Sequence, residues 1–485
     1  MAGALLLFVF TGCGRFGFAE LDVSADADPG PTIDARIGLD ASTPDAASPG
    51  HQVLAQDAID LSSSTPPNLL VHDVISDDSG NIYLTGAFSQ LLIGDDDYQS
   101  DGSADAYIAS FDSQLQHRWV QTFGNNGSTK ALRLFWRDAH VYTMFEYNGS
   151  VSDSGVITTT EGLADHLLLK LTLDGQVVDW AAFGSQEDDD LGRGLFVDAN
   201  AHVYTGGACN GPFDYGGGPL IAGDERDPCF AHLDQNMDVE GAWRLSGSGT
   251  DAVRGLGQFP NGDLLVLGYF SIDLEIGQGY FQTEGERDAF VARFDDDGNV
   301  LWAHPIAGLG DDLPEHVVID DDGNVYIALS TTSSVLEYGT QSIDLDAAGS
   351  TDGVVLSLKN DSTLRWATAL EGAGQETIED IALLADGTIG LAGGFQSPGT
   401  LGNMPLDGTR GHDLVVGILD PTSGATVWAG TFGSGDDDRF LAVDGHPGGG
   451  LVAAGYARGP VDFGTGPIGE DNNTTRALIV RLQPD

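Results

Sequence analysis

The sequence predicts an all-β fold made of one unit repeated seven times, and three observations carry that reading. The first is a column in which an Asp opens a hydrophobic strand: DAYIASFD from Asp105, DHLLLKLT from Asp165, DPCFAHLD from Asp227, DAFVARFD from Asp288, DGVVLSLK from Asp352 and DLVVGILD from Asp413. A seventh copy, RALIVRLQ from Arg476, has lost the Asp. The copies follow one another at a nearly constant interval of about 60 residues, and such a period marks one supersecondary unit that must stack on its copies to bury its apolar face. The second observation is composition. Glycine makes up 68 of the 485 residues, about twice the usual ~7%, scattered among short apolar runs as many tight turns require. The third is a Trp in the last strand of six copies (Trp119, Trp180, Trp243, Trp302, Trp366 and Trp428), at a nearly fixed distance after the strand-three position. Each copy divides into four strand-like runs, and four antiparallel strands repeated radially describe a seven-bladed β-propeller.

Two segments precede the repeats. Residues 1–13, MAGALLLFVFTGC, form an apolar stretch too short for a bilayer, which needs about 20 residues. The end of it, Phe10-Thr11-Gly12-Cys13, resembles the close of a bacterial lipoprotein signal, with Cys13 the residue that would be acylated. No Lys or Arg precedes the run and Phe10 stands where Leu is usual, so a plain N-terminus is the alternative. Residues 14–50 are rich in Asp, Ala, Pro and Ser. They carry too few apolar side chains to offset ordering entropy and read as a disordered tether.

The repeat domain then spans 51–485. In the first blade, LVHDVIS (69–75) and NIYLTGAF (81–88) are joined by DDSG, a turn built of Asp and Gly. DAYIASFD (105–112) and HRWVQTFG (117–124) complete it. In the seventh copy the Trp position would fall past residue 485, so that blade lacks its outer strand. Counting back from His72 places the missing strand within HQVLAQDAIDL (51–61), which is expected to close the ring and cover the sheet edge. The connections between strands two and three are long, and connections of such length in a compact domain are usually functional. Most carry an apolar pair before Gly, as in Phe213-Asp214-Tyr215-Gly216 and Leu274-Glu275-Ile276-Gly277. These are expected to pack on their own blade.

Copies such as DDDGNVYIAL, DAFVARFDDDGNVLWA and TFGSGDDD resemble the seven-bladed bacterial β-propeller repeat family (SBBP type) over residues 51–485. The resemblance implies an exported protein, either an outer-membrane or cell-surface lipoprotein or a secreted one, and names no ligand.

Charge narrows the function. Seventy-four acidic residues against 20 basic ones give a net charge of −54, which excludes nucleic acid as a partner because phosphate needs Lys or Arg. The only membrane contact expected is through the lipid, and the domain is expected to be a monomer. Two sets of residues are candidates for binding. His72, Lys130, Arg193, Arg254, Glu315, Glu379 and Arg439 start the inner strands, around the channel. They read as a polar funnel or as an Arg–Glu network that satisfies buried charge. Asp188, Asp189, Asp311, Asp312, Asp436 and Asp437 lie in the loops that link one blade to the next. They read as loops for a hard cation such as calcium or as a solvated rim. The Asp-rich turns, such as Asp320-Asp321-Asp322-Gly323-Asn324, fail the EF-hand ligand spacing and read as hairpin turns. Cys209 ends strand two and Cys229 opens strand three of blade 3, placing them as a disulfide in an exported protein or as two buried thiols.

No HExxH or GxSxG occurs, the 11 His residues share no column, and no cofactor motif is present. The expected function is a non-enzymatic binding or scaffold module for an unidentified protein or glycan. The alternative is a lyase or glycan hydrolase using the funnel.

Overall fold

The short turns show how the repeat folds locally. In each DxDGN-like turn the leading Asp folds back on its own backbone. Asp77 Oδ1 accepts the amides of Ser79 and Asn81, both at 2.9 Å. Asp320 Oδ1 accepts those of Asp322 and Asn324 at 3.0 and 2.8 Å. The Gly that follows takes φ +79° in the first turn and +78° in the second, a conformation disfavoured for a residue with a Cβ. These turns join strands whose side chains are buried on both faces: every residue of Ile82–Phe88, Asp105–Phe111 and Leu264–Phe270 is buried. A strand covered on both sides must lie between two other sheets.

The computed structural model describes residues 53–60, 69–93, 96–124, 127–160, 164–184, 191–220, 225–345, 351–396, 398–408, 411–464, 466–469 and 475–484. Cys13, the 1–13 segment and the 14–50 tether lie outside them. The described residues form a seven-bladed β-propeller of four-stranded antiparallel sheets. Blade 1 consists of Leu69–Ser76, Ile82–Phe88, Asp105–Phe111 and His117–Phe123, paired in that order. Blades 2 to 6 repeat it. Blade 7 takes Arg439–Gly445, Leu451–Arg458 and Thr475–Pro484 from the end of the chain and its fourth strand, Val53–Asp60, from the beginning. That strand pairs antiparallel with Thr475–Pro484, from Val53 opposite Pro484 to Asp60 opposite Leu478.

Between blades the bond is apolar packing. Seven clusters each bridge one junction; the one between blades 7 and 1 joins Leu84, Phe88 and Tyr107 to Ala442, Val452 and Ile479. At the ~1.5–3 kcal/mol that burying each large apolar side chain contributes, these interfaces are the main source of stability. Every inner strand also carries a β-bulge at the same place, where one extra residue bends the strand.

At two junctions a Trp of the outer strand bonds to the next blade. The Trp119 indole donates to Leu173 O of blade 2 at 2.9 Å, and Trp366 donates to Pro421 O of blade 6 at 3.2 Å. A Cβ added to Gly175, at φ +79°, would lie 2.8 Å from the Trp119 ring.

The long two-to-three connections form small hairpins that pack on their own blade, as where Tyr338 OH donates to Ser362 O at 2.7 Å and Thr426 Oγ1 to Leu401 O at 2.7 Å, and that also reach the preceding blade. Ser246–Ser248, after the outer strand of blade 3, pairs with Asp273–Ile276 of blade 4, and the outer strand of blade 5 pairs with Gly399–Leu401 of blade 6. Their apolar pairs, Phe213/Tyr215, Leu274/Ile276, Leu336/Tyr338 and Val461/Phe463, are buried in the junction clusters. Strand pairing goes to the preceding blade because a blade's own second and third strands are already paired, whereas the outer end of the preceding blade is not.

Ring closure and the Trp contacts can each be tested by stability. A chain begun at residue 62 leaves Thr475–Pro484 without its partner strand, and its melting temperature is expected to fall far below that of a chain begun at residue 51. Gly175→Ala combines a disfavoured φ with the Trp119 clash and should cost about 1–3 kcal/mol in denaturant unfolding, with Trp119→Phe recovering part of the loss.

Candidate functional site

The inner-strand bulge organises the channel. His72, Arg193, Arg254, Glu315 and Glu379 are the bulged residues of blades 1, 3, 4, 5 and 6. In blades 2 and 7 the bulge falls on Leu132 and Leu441, so Lys130 and Arg439 stand two residues ahead of the ring. Four of the charged members pair with one another, and Lys130 pairs outside the set. Arg439 Nη1 donates to Glu379 Oε1 at 2.9 Å, Arg254 Nη1 lies 4.0 Å from Glu315 Oε2, and Lys130 Nζ lies 3.4 Å from Glu146. Arg193 places positive charge beside Glu315. His72 Nδ1 lies 2.7 Å from Ala131 O of the next blade.

Residues that follow the bulge extend this stitching and were not singled out in the sequence. Asp73 of blade 1 accepts from Leu134 N of blade 2 at 2.7 Å, and Asp380 of blade 6 accepts from Val443 N of blade 7 at 2.9 Å. Arg133 reaches from blade 2 to blade 5, donating to Glu315 O at 3.0 Å. His316 sits against both Asp380 and Ile381 O. Burial raises Asp73 to about 6, Glu315 to about 7 and Asp444 to about 7. Around the channel, charged side chains are therefore paired across blades, as Arg439 with Glu379, Arg254 with Glu315 and His316 with Asp380.

The acidic linking loops divide in the same manner. Asp311 is bound by Arg287 Nε at 2.9 Å, and Asp437 by His412 Nδ1 at 2.6 Å. Asp312 is buried and accepts from Thr331 Oγ1, and Asp436 is exposed. Asp188 and Asp189 lie outside the described residues. Among the described residues no three of these carboxylates come together at one point.

A second acidic column is structural. The strand-three Asp of one blade lies near the first acid of the next inner strand: Asp227 near Asp251, Asp288 near Asp312 and Asp352 near Glu376. The three pairs share one spacing in the sequence, a signal that could have revealed them. The backbones meet there, with Asp251 N donating to Arg226 O, Asp312 N to Arg287 O and Glu376 N to Thr351 O, at 2.8 to 3.0 Å. The carboxylates cap loop amides, as Asp251 does for Ser271 N at 2.9 Å and Asp288 for Glu284 N at 2.8 Å. Burial, reinforced by the neighbouring acid, raises Asp251 to about 8, Asp288 to about 7 and Glu376 to about 7; burial likewise raises Asp312 to about 6.

Cys209 and Cys229 form a disulfide, their Cα atoms 5.9 Å apart on adjacent antiparallel strands. Both are buried at the junction of blades 2 and 3.

On the opposite side of blade 3, where the short turns lie, His202, His232 and Glu240 come together. A cavity of about 300 Å³ opens beside them, between blades 3 and 4. Tyr204 stacks on the His232 ring with centroids 4.4 Å apart and planes 2° from parallel. Burial lowers the His232 imidazole below its usual range. His140 of blade 2 stands at the strand position of His202, but His232 and Glu240 recur in no other blade, and the three residues were not picked out in the sequence.

The buried acids set a pH dependence. Their folded pKa values lie above the ordinary ~4 of an unfolded carboxyl group, so the stability they contribute is complete at low pH and lost as pH rises through about 6 to 8. Below about 6.5 the opposing protonation of His232, His304 and His446, all lowered by burial, sets in. The melting temperature is therefore expected to rise as pH falls from 8.5 to 6.5. Asp288→Asn should raise it at pH 8.5 and flatten the slope; an unchanged slope would remove Asp288 from the titrating set.

No family description and no curated protein matches the chain. Solved structures do. A PL25 ulvan lyase aligns at 10% identity with a TM-score of 0.46, over 88% of this chain and 96% of the other. A protein of unknown function from Dyadobacter fermentans aligns at 10% identity and a TM-score of 0.42, over 89% and 99%. A europium-containing methanol dehydrogenase aligns at 10% identity and a TM-score of 0.38, over 83% and 80%.

Proposed function

We propose that the chain is a non-enzymatic binding or scaffold propeller of the SBBP type, exported and held at a bacterial surface through lipid on Cys13, with the hairpin face as its contact surface. The observation that carries this reading is a joined group of exposed apolar side chains on that face, whereas the exposed Val178, Leu301 and Val427 are scattered one to a blade at the starts of outer strands. Ile272 is 52% exposed, Tyr280 56% and Leu309 83%. Ile272 and Tyr280 belong to the blade 4 hairpin, and Leu309 to the loop that leads into blade 5. The backbone joins them, because Thr283 N donates to Ile272 O at 3.0 Å and Glu286 N to Gly310 O at 3.2 Å. Ile157, at the hairpin of blade 2, is 73% exposed on the same face. An apolar group rimmed by acidic residues suits contact with a protein or the apolar face of a glycan.

The charged channel supports the same reading, since Arg439 with Glu379, Arg254 with Glu315 and His316 with Asp380 are engaged with one another. The Cys209–Cys229 disulfide favours an oxidising compartment, consistent with export. A net charge of −54 disfavours nucleic acid and self-association, supporting a monomer.

The immobilised domain should be screened on a glycan array and against surface proteins extracted from the producing cell. Combined replacement of Ile272, Tyr280 and Leu309 by Ser is expected to weaken any specific binding by roughly 10-fold or more, while replacing the exposed turn-face residues Asp78, Asp297 and Asp321 by Asn leaves it unchanged. Binding that survives the first set and disappears with the second would place the contact surface on the turn face and overturn the proposal.

A further inference from the structure

Blade 3 departs from blades 1 and 5 at three positions that face one another. In blade 1, Arg118 Nη1 donates to Ser110 Oγ at 2.9 Å, and Tyr83 OH donates to Asp77 Oδ2 at 2.9 Å. Blade 5 repeats this with Arg365, Ser357, Tyr326 and Asp320, again at 2.9 Å for both bonds. The arrangement locks the two turns at the base of the blade. By strand register, His232 of blade 3 stands where Ser110 and Ser357 stand, each opposite the strand-two Tyr. Glu240 stands where Arg118 and Arg365 stand, at the bulge that opens the outer strand. His202 replaces Asn81 and Asn324, two residues ahead of that Tyr. A neutral residue, a hydroxyl and a cation have become two imidazoles and a carboxylate.

These three side chains bring their ligating atoms within 4.8 Å of one another. His232 Nε2 lies 3.6 Å from Glu240 Oε2. Two donor atoms bound to one tetrahedral zinc ion at ~2.1 Å are ~3.4 Å apart, so the pair is nearly at coordination spacing. His232 Nε2 is buried and has no hydrogen-bond partner, a costly state for an imidazole nitrogen unless something fills it. Tyr204, stacked on the ring, fixes its plane. Asp198 Oδ2 lies 3.5 Å from His202 Nδ1, the position of a carboxylate that orients a metal-binding histidine.

We propose that blade 3 binds one divalent transition-metal ion of the zinc class through His202, His232 and Glu240, with a coordination position open to the neighbouring cavity. Two imidazole nitrogens and one carboxylate oxygen suit zinc and its neighbours, whereas calcium requires six to eight oxygens. Three protein ligands leave room for water or a small anionic or carbonyl-bearing ligand. The cavity on that side is lined by Asp198, Gln258, Asp295 and Asp296, beside the Trp243 ring. The site lies on the turn face, away from the hairpin surface, and is independent of what binds there.

The test uses the untagged full chain, stripped with a chelator and titrated calorimetrically with zinc chloride, and separately with calcium chloride, in ~0.15 M salt to screen diffuse attraction. The double variant His232→Ser with Glu240→Arg installs the pair of blade 1 and is expected to fold. The wild type should take up one equivalent of zinc and hold it roughly 10-fold or more tightly than the variant does. Cobalt in place of zinc should show the visible absorption of a four-coordinate ion in the wild type alone. Should the double variant lose its circular dichroism, His202→Asn, the residue of blades 1 and 5, replaces it in the comparison. Zinc bound equally by wild type and variant, or calcium competing with zinc at equal concentration, would overturn the proposal.

Discussion

Each blade's apolar faces have to be covered by the blades on either side, and the rest of the molecule follows from that constraint. A single four-stranded sheet with strands such as Ile82–Phe88, buried throughout, would expose both faces to water. Seven of them in a ring cover one another completely, provided that the first and last blades meet. The pairing of Val53–Asp60 with Thr475–Pro484 ties the two ends of the chain into one sheet, and the cluster joining blades 7 and 1 is as apolar as the others. Because the inner strands of neighbouring blades pair only within their own sheets, side chains such as Asp73, Asp380 and His72 connect them.

The same constraint decides where charge goes. The ends of the strands meet at the junctions, and their loop amides need acceptors in places that water does not reach. Asp and Glu supply them, at the cost of burying carboxyl groups near one another. Burial therefore pushes Asp251, Asp288 and Glu376 upward. With 20 basic residues in the chain, the few arginines near the axis are held by the acids beside them. Arg439 with Glu379 and Arg254 with Glu315 are structural pairs. At the periphery, the hairpins sealing each junction also present Ile157, Ile272 and Tyr280 to solvent.

Blade 3 shows how a repeat acquires a local chemistry. Its backbone keeps the common register, with Tyr204 opposite the sixth residue of strand three as in blades 1 and 5. Only the side chains at the turn end differ, and Trp243 has moved two residues along the outer strand, leaving Gly241 in the usual Trp place opposite His232. A Cβ at Gly241 would lie 2.6 Å from the Trp243 ring, and one at Gly298 of blade 4 would lie 2.0 Å from its indole nitrogen. The displaced indole thus lies beneath two glycines, at the edge of the cavity.

The even period, the Asp and Trp columns and the turn chemistry were sufficient to predict a seven-bladed all-β propeller. They are local signals: alternating turn residues and apolar strands specify a blade, and equal spacing requires equal blades. Spacing also singled out Cys209 and Cys229, because adjacent strands fix their separation within narrow limits. What the linear order could not decide was register across blades. A one-residue bulge and loops of unequal length placed Lys130 and Arg439 two residues from the ring they were assigned to. The partners of Arg133 and Asp380, the reach of the hairpins to the preceding blade and the meeting of His202, His232 and Glu240 depend on strands distant in the chain coming together in three dimensions. Those contacts carry no periodic signature, because a site that occurs in one blade is by its nature an exception to the repeat. Only the closed ring brings such exceptions face to face.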